Sequence, residues 1–229
     1  MIDGHLIVGY HGCDVTVRDG LVSGDLQPQE STNQYDWLGP GFYMFEGDEE
    51  RARSFAHAAA AQPERRLTAR PIATPAVVGC LFSVQSCLDM TTNAGRLEFE
   101  DAYLHMQAGF LLNDESPPIN RKASHHDAEI LLRGLDRAVF SFLHRKNAKL
   151  GNVGFYQAVR GSFRQGVEIA PNSGFHRDSH TQIALRDFNC IKGWFVPPGE
   201  RMLSAAELTA AKERFAALCA TTPKPRRRA

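Results

Sequence analysis

The chain has 229 residues, 43% of them apolar and 23% charged, with basic and acidic side chains in balance and a pI near 7.1. That length fits one large domain able to bury most of its apolar surface in one core. A net charge of zero removes any global electrostatic argument for nucleic acid or an anionic membrane, and no apolar run approaches the roughly 18 residues that span a bilayer.

The N-terminal Met1-Ile2-Asp3-Gly4-His5 lacks the basic region and long apolar stretch of a signal peptide. Five cysteines, an odd number with no Cys-x-x-Cys pair, suit reduced thiols better than a disulfide framework or a zinc site. The expectation is a cytoplasmic protein with no membrane association and no metal.

In chain order, His5–Cys13 reads as a first strand ending in Tyr10-His11-Gly12. The polar stretch after it, with Gly20, Gly24, Pro28 and residues 30–34, predicts a surface loop with one helical turn near Val15–Leu21. Gly41–Glu46 predicts a short aromatic strand. Asp48 is a good N-cap, with Glu49 and Glu50 in the first turn where the helix dipole favours acids, and Pro63 ends the helix at about Gln62. Val77–Leu88 predicts one strand. Leu97–Leu112 and Ser124–His144 have helical spacing and flank Pro117-Pro118, predicting a helical insertion over about residues 97–150. Phe155–Phe163 and Thr181–Ile191 predict strands, and Trp194-Phe195-Val196 closes the sheet. Ser204 and Glu207 form a capping box for a last helix ending near Cys219. The sum is an α+β single domain over residues 1–220, followed by a basic, solvated tail at 221–229.

Three distant patches carry chemistry: Tyr10-His11-Gly12, Gly39-Pro40-Gly41-Phe42-Tyr43-Met44-Phe45, and the strand from Gln182 to Ile191. Cleaving the nicotinamide–ribose bond of NAD builds positive charge on the ribose. An enzyme must hold the carboxamide, stack the ring, orient the ribose and stabilise the oxocarbenium-like centre. A His, a Tyr and a polar residue on three strands can do this. In order and flanking residues the patches resemble the ADP-ribosyltransferase superfamily, in its His–Tyr–Glu branch of polymerase and diphtheria-toxin type.

The resemblance implies a split antiparallel β-sheet core with peripheral helices, and NAD as co-substrate. His11 would bind the adenosine-side ribose, and the Gly12 backbone the nicotinamide carboxamide, an approach only a residue without a side chain allows. Tyr43 would stack on the nicotinamide ring, with Phe55 sandwiching it from the next helix. Trp37 and Asp36 would border the donor pocket, and Arg160 and Arg164 could meet the pyrophosphate with bidentate hydrogen bonds. The catalytic triad is then His11, Tyr43 and Gln182, the last standing where relatives have Glu. Other readings are weak: His125-His126-Asp127 and His144 lack a ligand spacing for a shared metal ion, and nothing orients Cys13 as a nucleophile beside His11.

Gln182 keeps a hydrogen bond but loses the charge, and it cannot act as a base. Polymer elongation is therefore not expected. Mono-ADP-ribosylation of an acceptor (protein, nucleic acid or small molecule), slow NAD hydrolysis, and a catalytically silent module that binds NAD, ADP-ribose or a partner protein all fit, with Glu46, Glu168 or Asp187 as carboxylates that could stand in. A 2′-phosphotransferase would require a His and Arg set that is not present in order. Many small proteins of this type act as toxins or defence effectors, which makes an antitoxin protein a further expected partner class.

Overall fold

The computed structural model describes residues 4–31, 33, 36–63, 68, 70–122, 130–151 and 154–221. The basic tail from 222 and the His125-His126-Asp127 cluster lie outside these residues.

Strand β1 (Ile7–Asp14) runs directly into helix α1 (Val15–Ser23), a full helix where the sequence predicts one turn. Asp14 accounts for the difference. One carboxylate oxygen accepts from the backbone N–H and the hydroxyl of Thr16, and the other accepts from the N–H groups of Ala73 and Thr74. A buried acid with four donors caps the helix and ties it to a loop nearly sixty residues on. Strand β2 (Phe42–Glu46) and helix α2 (Glu49–Ala61) follow, the latter capped by Asp48 through the Arg51 N–H as its sequence predicts.

The run expected as one strand over Val77–Leu88 is two: β3 (Pro75–Phe82) and β4 (Cys87–Asp89). Helix α3 (Asn93–Leu112) is followed by a small ribbon of β5 (Asn120–Arg121) and β6 (Leu132–Arg133), then α4 (Gly134–Lys149). Within the described residues the helix expected from Ser124 begins only at Gly134. Its first turn is capped from outside, by Asn120 Oδ1 accepting from the N–H groups of Leu135 and Asp136. That tertiary cap has no trace in the local pattern. The remaining elements are β7 (Ala158–Phe163), β8 (His180–Leu185), a 3-10 turn at Phe188–Cys190, β9 (Ile191–Phe195) and α5 (Ala205–Thr221), which starts on the Ser204–Glu207 capping box.

These strands form an α+β protein with a seven-stranded mixed sheet in the order β4-β7-β8-β2-β1-β3-β9. All neighbours are antiparallel except β4 and β7, which are parallel, so the all-antiparallel expectation fails at that pair. The sheet cannot be flat. β3 and β4 stand five strand spacings apart, about 24 Å. Phe82 and Cys87 are five residues apart in sequence and can span only about 18 Å. The sheet therefore curls, bringing β4-β7-β8-β2 towards β1-β3-β9. The main core fills the space between: Phe42, Met44, Ile183 and Leu185 come from one half, and Ile7, Val78, Cys80 and Phe82 from the other. A second core packs α3 and α4 on the other face of β7 and β8, through Met106, Val139, Phe140, Leu143, Val159 and Ala184. The helices expected as an insertion thus share the core of the sheet.

Candidate active site

The two halves of the sheet meet at β1 and β2, which pair at only two positions, Gly9 with Glu46 and Tyr10 with Phe45. Beyond these β1 stays on β3 as far as Asp14, and β2 stays on β8 back to Phe42. The strands part like the arms of a V. The His11 side chain spans the gap, its Nδ1–H donating to the Tyr43 carbonyl at 2.8 Å. Because a carbonyl only accepts, this bond fixes the tautomer and leaves Nε2 as the acceptor. Burial pulls the His11 pKa below its usual value, outweighing the carbonyl bond, so the ring is neutral.

A cavity of ≈ 410 Å³ opens at the V, within the range that ligand sites occupy. It brings together His11, Gly12, Trp37, Tyr43, Phe55 and Gln182, residues drawn from separate patches of the sequence. Arg160 is not among its lining residues. Its guanidinium pairs with Glu46 at 2.7 Å and with the buried Asp89 at 3.2 Å, tying β7 to β2 and β4. Arg164 is exposed and also lies away from the cavity. Among the described residues the cation that does line it is Arg70, in a loop where no local pattern marks it.

Each placed residue has a local cause. A Cβ on Gly12 would stand 2.2 Å from the Ala52 carbonyl oxygen, so glycine here lets α2 lie against β1. That requirement is met within the fold, independently of any ligand. The Tyr43 hydroxyl donates to the Gly39 carbonyl at 2.7 Å and accepts from the Leu38 N–H at 3.0 Å. Burial, and then the nearby Asp36, raise its pKa well above the ordinary value. Its hydroxyl is thus a structural tether, and its ring is left to line the cavity. Phe55 meets the ring of Phe45 at 6.0 Å. Trp37 lies over β7 at Gly161, where a Cβ would come within 2.9 Å of the indole, and its Nε1–H donates to Gln182 Oε1 at 2.7 Å. Gly161 is the cross-strand partner of Gln182, so the missing side chain of one makes room for the ring that orients the other. An indole N–H only donates, which fixes the amide: Gln182 holds its oxygen on Trp37 and has Nε2–H donors left over.

The stand-in carboxylates are elsewhere. Glu46 is engaged with Arg160, Glu168 accepts from the Asn172 N–H, and Asp187 caps the 3-10 turn. Among the described residues the acids that line the cavity are Asp14, committed to its helix cap, together with Glu30 and Asp36. Glu30 is an exposed acid in a polar loop, where nothing in the sequence distinguishes it. Asp36 is 6% exposed and accepts from the Ser31 hydroxyl. Burial raises its pKa from 3.8 to about 6. An unfolded chain loses this proton near pH 4 while the folded protein keeps it to about pH 6. The contribution of Asp36 to stability is therefore full below about pH 4 and declines as pH rises to 6, by about 1.4 kcal/mol for each pH unit between those limits. In denaturant melts, Asp36→Asn is expected to flatten the fall in stability across this interval.

Burial also pushes the Cys13 thiol well above its ordinary range, which makes it a poor nucleophile. Among the described residues no three His, Cys, Asp or Glu side chains are grouped to hold a metal, and no helix is long and apolar enough to cross a membrane. Comparison with protein-family models, with curated proteins and with solved structures finds no match to this chain.

Proposed function

We propose that the cavity binds NAD and that the protein is an NAD-dependent mono-ADP-ribosyltransferase, cleaving the nicotinamide–ribose bond and passing ADP-ribose to an acceptor. The observation that carries this reading is the convergence of His11, Gly12, Trp37, Tyr43, Phe55 and Gln182 on one cavity where two strands part. In this reading the neutral His11 accepts from a ribose hydroxyl through Nε2. The Tyr43 ring, its hydroxyl tethered, offers a rigid stacking face for nicotinamide. Gln182 meets the reacting ribose. Polymer synthesis lies outside the proposal, because Gln182 cannot act as a base.

Incubation with NAD is expected to release nicotinamide, followed by chromatography, and to add ADP-ribose to an acceptor, followed by mass spectrometry. Tyr43→Ala and His11→Ala should each abolish both signals. An absence of NAD binding in calorimetry at millimolar concentration would sink the proposal.

A second reading rests on the hydrogen bond from Trp37. It occupies the one oxygen of the Gln182 amide and leaves a neutral donor where cleavage calls for negative charge. On that reading the protein binds NAD or ADP-ribose without cleaving it, and calorimetry gives binding with no nicotinamide released.

A further inference from the structure

Behind the turn at Gly39-Pro40-Gly41 lies a second cavity, of ≈ 750 Å³, between α3, α4 and the end of β8. Pro40 lines this cavity and Gly41 the first, so the turn that carries Tyr43 is the wall between them. Among the described residues its charge is one-sided: Arg137, Arg145 and Arg186 line it against a single acid, Glu115.

Among the described residues neither Arg145 nor Arg186 has a carboxylate within salt-bridge distance. Arg186 donates from Nη1 to the Tyr156 carbonyl at 2.7 Å, its guanidinium carbon lies 5.3 Å from the Phe155 ring centroid, and its Nε is buried with no partner. Native interiors rarely leave such a donor unpaired, and a half-buried cation without an ion-pair partner bears part of the cost of leaving water. Burial accordingly lowers its pKa, against a smaller opposing pull from the more distant Glu30. His144, whose Nε2 is likewise buried without a partner, adds no charge: burial and the field of Arg186 hold its pKa at about 3. Apart from Asn113 and Ser141 the other described lining residues are apolar or glycine, with Phe110 and Phe142 half-buried at its surface. Arginines beside half-buried aromatic rings suit a phosphate joined to a flat ring, since guanidinium groups take phosphate oxygens bidentately and aromatic side chains stack on bases.

We propose that this second cavity is a nucleotide-phosphate site, with Arg145 and Arg186 holding the phosphate and Phe110 and Phe142 the base, separate from the cavity at the parted strands.

Calorimetric titration of the full chain with AMP and with inorganic phosphate tests it. AMP is expected to bind, and phosphate to bind more weakly at the same site. Arg145→Glu reverses an exposed charge and Arg186→Gln removes a half-buried one; each should weaken AMP at least about tenfold. Phe55→Ala, in the first cavity, should leave AMP affinity unchanged. If Arg186→Gln unfolds, as its melting temperature would show, Arg145→Glu alone decides the matter. No AMP binding up to about 10 mM overturns the site, as does AMP binding that survives Arg145→Glu and falls in Phe55→Ala. AMP binding no tighter than phosphate overturns the nucleotide assignment. Arg145→Glu should leave nicotinamide release from NAD as in the wild type, so the failure of one proposal is distinct from the failure of the other.

Discussion

Gln182→Glu is expected to raise nicotinamide release from NAD by about 10²–10³-fold. The geometry is already prepared for the change. Trp37 Nε1–H is bonded to the amide oxygen at 2.7 Å, and a carboxylate oxygen can take the same bond, now charge-assisted. The second oxygen replaces a neutral donor with a negative charge at the point where, on the proposed reading, the ribose becomes cationic. It does so without reorganisation, because the indole and the strand register, Gln182 opposite Phe45 and Gly161, hold the side chain in place. Initial rates of nicotinamide release, compared at equal NAD occupancy, measure the effect. Activity appearing only in the variant would identify the natural protein as the silent module, and a rate unchanged from an active wild type would remove residue 182 from the reacting centre.

The largest loss of stability is expected from Gly12→Ala, about 3 kcal/mol or more. The new methyl would lie 2.2 Å from a backbone oxygen and 3.3 Å from the Ala56 Cβ. Neither is the end of a flexible side chain, so relief requires α2 to move away from β1. For a chain of this size the melting temperature should fall by roughly 10 °C, as read by circular dichroism. Gly109→Ala is the control of opposite sign. It lies in α3 with nothing within 4 Å of the added methyl, and should gain about 0.5–1 kcal/mol. A Gly12→Ala protein of wild-type stability that no longer binds NAD would assign the glycine to ligand approach instead of helix packing.

What the sequence discloses of this molecule is largely what short stretches decide for themselves. The aromatic strand β2 between its glycines, the Asp48 cap of α2 and the Ser204–Glu207 box are each readable because neighbouring residues make the relevant bonds. The parting of β3 from β4 is not. Val77 to Leu88 is apolar apart from its glycine and the polar Ser83, Gln85 and Ser86, and which of its residues pair with β1 and which with β7 is settled by partners more than sixty residues away. The same holds for Arg160. A basic residue ahead of a polar strand fits a phosphate contact equally well until Glu46 and Asp89 come into range, 114 and 71 positions away. Within the site, Tyr43 and Gln182 could be named from their motifs. The bond from Trp37 to Gln182 joins residues 145 apart and depends on Gly161 being bare, which only the folded sheet brings about.

Open backbone edges ordinarily belong to the outer strands of a sheet, where they invite pairing. The separation of β1 from β2 sets such an edge in the middle, next to a cavity, with an imidazole filling one rung of the missing ladder. A ligand that carries an amide can enter there and be held as an added strand is held, through main-chain bonds to the strands on either side. It would then be a fastener between two half-sheets whose strands β1 and β2 otherwise pair at only two positions. Its signature would be a joint slowing of amide hydrogen exchange along the ends of β1 and β2, with a rise in melting temperature that follows ligand concentration.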